Sequence, residues 1–129
     1  MILTLLSGIY FFNPRATPDV SSDFHSLISK NTLDLTKLDH QDWELIYFMP
    51  PYSNSCDLKL DEIKCFDSID DSECYLFLTK HNRVTAKVKI NRQKIDLATS
   101  EIEWPVKKEK ALFLLEDKAS FPKAQLKAD

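Results

Sequence analysis

Beyond Phe12 the chain contains no glycine; its single one, Gly8, sits inside an apolar run near the N-terminus. Glycine enters positive φ without steric cost, so a domain built without it is expected to turn on Asn, Asp, Ser and Pro. The same absence removes every glycine-rich phosphate loop and the Gly-x-Ser-x-Gly elbow that exposes a hydrolase serine.

Composition fits one folded unit. The 129 residues are 43% hydrophobic and 29% charged, which is enough for one self-sufficient core and too little chain for two. The net charge of −3 lacks the basic footprint of nucleic-acid binders, so no nucleic-acid partner is expected. Residues 2–12, ILTLLSGIYFF, carry no charge, and the run suits the apolar part of a signal peptide better than a membrane span of about 20 residues. Residues 1–16 therefore read as a signal or anchor segment, 17–117 as a single α+β domain and 118–129 as a flexible tail. The expected location is the cell envelope, periplasmic or membrane-anchored, with residues 2–12 as the tether. No Lys or Arg precedes the run, and Asn13-Pro14-Arg15-Ala16-Thr17 makes a poor cleavage site. The alternative is a buried first element of a cytoplasmic protein.

Cys56, Cys65 and Cys74 are evenly spaced. In an oxidising compartment three thiols give one disulfide and one leftover thiol, with three pairings that sequence does not separate. Zinc is not indicated, because no Cys-x-x-Cys occurs and His25, His40 and His81 stand far apart. No cofactor is expected.

Val20, Phe24, Leu27 and Ile28 recur at helical spacing and predict a helix over residues 18–30, with Thr17 as N-cap and Pro18 at the first helical position. The period then falls to two. Leu33 and Leu35 open a short strand that ends near Leu38. Next, Trp43, Leu45 and Tyr47 alternate with Ile46 and Phe48, so this strand should be covered on both faces, at a sheet centre, until Pro50-Pro51 stops it. Residues 56–73 read as an irregular connection with a short strand at 62–66. A hairpin follows, 74–79 and 83–90, turning at Lys80-His81-Asn82, with Val84, Ala86, Val88 and Ile90 toward the core and Thr85, Lys87 and Lys89 outward. Residues 93–97 are expected to complete a three-stranded meander, and 111–116 to form the last strand. The expected fold class is α+β, an N-terminal helix packed on one antiparallel sheet of about five strands.

Two charged regions are candidate contact surfaces. The connection 57–73 carries Asp57, Asp61, Glu62, Asp67, Asp70, Asp71 and Glu73 against Lys59 and Lys64, without the ligand alternation or the glycine of an EF-hand calcium loop. Between Cys74 and Ile95 no acid occurs, while Lys80, Arg83, Lys87, Lys89, Arg92 and Lys94 do. Either the two regions neutralise each other, or the basic sheet face meets an acidic protein or anionic headgroups. Asp67, Asp70 and Asp71 on one side and Lys87 and Lys89 on the other are the binding candidates. Catalytic templates each lack a member. Asp70-Asp71 lies in a polar loop with nothing to raise one carboxyl's pKa, and Asp39-His40-Asp42, the most tempting local set, is explained equally by loop solvation. A non-enzymatic domain is expected.

The stretch DWELIYFMPPYSN, residues 42–54, resembles a motif of small uncharacterised bacterial exported proteins and lipoproteins, in which a Trp-acid pair leads a strand ending in Phe-x-Pro-Tyr-Ser/Thr. There too a helix and a Leu-x-Leu strand precede the motif and a Tyr/Phe-rich hairpin follows, so the likeness spans residues 20–90. This chain departs from the pattern in lacking the lipoprotein cysteine and in carrying its own cysteine-rich acidic insertion. The resemblance implies an exported location and an α+β fold, and it brings no catalytic residue. Within the stretch, Tyr52 lies beyond the strand's end and is the residue placed to touch a partner. The expected function is binding of a protein partner by an exported or tethered domain. The alternative is an inhibitor or immunity-type protein that sets loop 57–73 against a basic enzyme.

Overall fold

The computed structural model describes residues 17–38, 42–61, 63–92, 94–97, 102–116 and 123–126, so the expected signal segment 1–16 lies outside it. Sheet dominates. Strands β1 (Thr32–Asp34), β2 (Leu45–Met49), β3 (Glu73–Lys80), β4 (Arg83–Asn91), β5 (Val106–Lys107), β6 (Leu112–Glu116) and β7 (Lys123–Leu126) form two antiparallel sheets. One runs β4-β3-β2-β5 and the other β1-β6-β7, so the expected single sheet of about five strands is corrected to two.

The two-sided alternation around β2 explains the division. β2 lies between β3 and β5, inside its sheet as its apolar pattern predicts. Ile46 and Phe48 enter the larger core, together with Leu76 and Leu78 of β3, Leu33 of β1 and Phe113 of β6. Tyr47 and Met49 face the other way, onto a smaller cluster with Phe77, Leu60 and Phe66. The Trp104 ring joins the sheets, stacked on Phe48 at 5.2 Å between centroids and tilted against Phe113 at 6.1 Å.

The hairpin forms as expected, but its turn consists of two residues, His81 and Asn82, at φ of 52° and 63°. Two successive left-handed residues match the twist of paired strands. Thr79 pairs with Val84 and Leu78 with Ala86, so Thr85 is bulged out of the ladder. A one-residue shift reverses side-chain facing. Val84 accordingly leaves the core face expected for it and packs on the smaller cluster, while Ala86, Val88 and Ile90 stay in the larger core.

Among the described residues, none of which is glycine, positive φ falls to Tyr52, Lys59, His81 and Asn82. Of these only Asn82 is a residue type expected to turn the chain; left-handed geometry costs the others about 1 kcal/mol or more each. Hydrogen bonds hold two of them in place, one local and one from a distant segment: Lys59 N–H donates to Cys56 O at 3.1 Å, and His81 N–H donates to Glu44 Oε1 at 2.8 Å.

The predicted helix over 18–30 shrinks to α1 (Ser21–Ser26), with Val20 rather than Thr17 at its N-cap. Ser and Asp side chains compete for its backbone: Asp19 Oδ1 accepts from Ser21 N–H at 2.9 Å and Ser26 Oγ donates to Asp23 O at 2.7 Å. Ile28 bridges to Leu33 instead of adding a helical turn. Upstream, Pro18 O accepts from Lys87 N–H and Val20 N–H donates to Lys87 O, both at 2.9 Å. Residues 18–20 thereby cover the outer edge of β4, which would otherwise present an open ladder.

Three further expectations are corrected. Residues 94–97 make no third meander strand; Lys94 N–H closes a turn onto Asn91 O at 2.9 Å, and the outer edge of β4, where such a strand would pair, is met by residues 18–20 at Lys87. Residues 63–66 form no strand, and Ile63 and Phe66 serve as cover for the smaller cluster. Within the expected flexible tail 118–129, Lys123–Leu126 forms β7 and pairs with β6. Among the described residues no helix is long and apolar enough to cross a membrane.

Candidate functional site

Cys56 is bonded to Cys65, with Cα atoms 5.0 Å apart, and Cys74 is the buried free thiol. The bond spans a loop that opens with a 3₁₀ turn, Ser55–Leu58, whose N-cap Asn54 accepts from Cys56 N–H at 2.8 Å. Hydrogen bonds tie the loop's neck independently of the sulfurs. Ser55 N–H donates to Phe66 O, Ser68 N–H donates to Ser53 O, and Ser55 Oγ links Lys64 O with Phe66 N–H. Burial pushes the Cys74 thiol up to about 12, so at neutral pH it stays protonated rather than forming the nucleophilic thiolate.

At the end of β2, Pro50-Pro51 stops the ladder, and Tyr52 turns the chain at φ 60° with its side chain 70% exposed. The neighbouring neck brings Asp67 alongside Asn54, whose Nδ2 donates to Asp67 Oδ1 at 2.8 Å. Between them lies a shallow groove of about 370 Å³, lined by Tyr52, Asn54, Asp57, Asp67, Ile69 and two serines. Ile69 is 83% exposed, and it and Tyr52 are the two large apolar side chains that stay exposed among the described residues. No Lys or Arg lines the groove.

The sequence candidates divide. Tyr52 and Asp67 share the groove, but Asp70 and Asp71 do not line it. Asp70 Oδ1 accepts from Ser72 N–H and Oγ, at 2.9 and 2.8 Å, and these bonds, backbone first, hold its carboxyl below the usual range. Asp71 O accepts from Arg92 Nη1 at 2.6 Å. Lys87 and Lys89 lie on β4 beside the 18–21 segment, where Lys89 N–H donates to Ser21 Oγ at 2.8 Å. Much of the basic hairpin faces acids from outside the 57–73 loop. Asp19 feels Lys87 and Lys89, Asp42 pairs with Lys80, and Asp96 pairs with Arg92 at 3.4 Å. Of the Asp39-His40-Asp42 set, the first two residues lie outside the described residues. The Lys80 bond and charge hold the exposed Asp42 below its usual range. Among the described residues no three His, Cys, Asp or Glu side chains converge on a metal position.

Ser53, Asn54, Asp57, Ser68 and Ile69 line the groove without being among the binding candidates singled out in the sequence, although Asp57 belongs to the acidic connection 57–73. Ile69 carried one signal, a lone large apolar residue flanked by polar and acidic neighbours in Asp67-Ser68-Ile69-Asp70-Asp71. Comparison of the chain with protein-family models, with curated proteins and with solved structures finds no match.

Asp19 gives the edge segment an acid dependence. Its carboxyl is held below the ordinary 3.8, first by the Ser21 hydroxyl, against a smaller opposing push from burial, and then by Ser21 N–H, Lys87 and Lys89. Because the folded value lies below the unfolded one, the stabilisation is full above about 4 and is lost as pH falls through the folded value. Asp19 is exposed, so the effect should stay under about 1 kcal/mol. Comparing urea midpoints of wild type and Asp19→Asn from pH 6 to 2 should show the variant less stable at pH 6 and converging with wild type in acid.

Proposed function

We propose that the protein is a small exported or membrane-tethered binding domain that acts without catalysis and meets a protein partner at the groove between Tyr52 and Ile69. One observation carries the proposal: the two large apolar side chains left exposed among the described residues lie in the same groove. Scattered exposed apolar residues are ordinary, whereas apolar groups collected in a polar-rimmed recess are what a partner buries. Export draws support from the Cys56–Cys65 bond, since structural disulfides persist in oxidising compartments, and from the uncharged run at 2–12.

Tyr52→Ala should weaken partner binding about tenfold, as truncating an aromatic anchor does, and leave the melting temperature within error of wild type. A variant that binds normally would remove the groove from consideration. A second reading, an inhibitor or immunity-type protein for a basic enzyme, is favoured by the lining itself, which holds Asp57 and Asp67 and no cation. Under it, Asp67→Asn would cost more binding than Lys87→Gln with Lys89→Gln.

A further inference from the structure

We infer that the groove receives an arginine or lysine side chain from a basic, extended peptide segment of the partner, an inference that rests on the groove being the contact surface. Its lining combines two kinds of group. Tyr52 and Ile69 supply exposed apolar surface, and Asp57 and Asp67 supply negative charge. Among the described residues neither carboxylate is in an ion pair, and the Asn54 amide fixes Asp67 by donating to Oδ1 at 2.8 Å. No Lys or Arg lines the groove, and Lys80 and Arg92 of the basic hairpin are engaged with Asp42 and Asp96.

A long cationic side chain is the group that answers both features at once. Its methylene stem covers apolar surface while its head stays polar, which suits Ile69 beside carboxylates. A guanidinium also stacks on an aromatic face and bonds a carboxylate through two parallel N–H donors, so arginine should exceed lysine here. A neutral apolar segment would use Tyr52 and Ile69 but leave the carboxylates partly desolvated without a partner. An acidic segment would be repelled. The volume of about 370 Å³ is near the lower end for small-ligand recesses, which suits one long side chain with its flanking backbone.

The test titrates the ¹⁵N-labelled full chain with three probes: acetyl-Leu-Arg-Leu-amide, the same peptide with citrulline for arginine, and the same with glutamate. The expected result is a set of amide shifts confined to residues 52–57 and 67–69 with the arginine peptide. Binding should be at least fivefold weaker with citrulline and undetectable with glutamate, and should weaken as salt rises. Asp57→Asn and Asp67→Asn should each weaken arginine-peptide binding severalfold; unchanged amide dispersion would show that each variant is folded, and either one suffices. If citrulline and arginine bind the groove equally, the basic partner is overturned and the groove survives as a contact surface. If no peptide shifts the groove residues, or shifts concentrate on β4, both the inference and the contact surface fall.

Discussion

Trp43→Ala should lower the unfolding free energy by about 3–5 kcal/mol, a large part of the 5–15 kcal/mol typical of a single domain. The indole is only 2% exposed and belongs to the larger core. Its Nε1 donates to Leu38 O at 2.6 Å, and Lys108 Nζ lies 5.0 Å from the ring centroid. Truncation removes the packing, the hydrogen bond and the cation–π contact together. Trp43→Phe keeps much of the volume but leaves the Leu38 carbonyl without its indole donor, for an expected loss of about 1–3 kcal/mol. Urea unfolding of the three proteins measures both steps. A cost below about 1 kcal/mol for the alanine variant would mean that the indole is not in the core.

Reduction, or Cys56→Ser with Cys65→Ser, should cost about 2–3 kcal/mol by chain entropy, since the bond closes a short loop with a sequence separation of 9. The domain should nevertheless stay folded. The Ser55 and Ser53 bonds still close the neck, and Leu60 and Phe66 still pack on Met49 and Phe77. Thiol titration gives an independent check. The denatured, unreduced chain should release one reactive thiol and the reduced chain three, while the native protein releases none because Cys74 is buried. Three reactive thiols without reductant would contradict the bond.

The sequence was legible where a pattern is local and periodic. Alternation from Leu45 to Phe48 placed β2 inside a sheet and Pro50-Pro51 marked its end, but Trp43, expected on the Tyr47 face, lies before the strand and packs in the larger core with Ile46 and Phe48. It misled where tertiary partners decide. The stripe Val20, Phe24, Leu27, Ile28 fits a long helix, yet Ile28 is drawn to Leu33 and serines and aspartates take the backbone bonds that more turns would need. β5 has two residues and gains strand character from the edge of β2, and β7 pairs in the same way with β6; neither pairing leaves a local signature. The bulge at Thr85 is equally silent, because alternation alone carried Val84 to the wrong face. For the groove, Tyr52 could be read from its place after the strand and Asp67 from its charge. Ile69 shares the groove with Tyr52 because the Asn54–Asp67 contact, the Ser53–Ser68 bond and the Cys56–Cys65 bridge bring together segments distant in sequence, and none of these is written in a local pattern.

The most direct test of the groove as the contact surface is photo-crosslinking in cells that make the protein, with the reactive residue at position 69 and, separately, at position 87. The prediction is a discrete adduct from position 69 that disappears when Tyr52→Ala is added, and none from position 87. An adduct from position 87 alone, or one from position 69 that survives Tyr52→Ala, would contradict it.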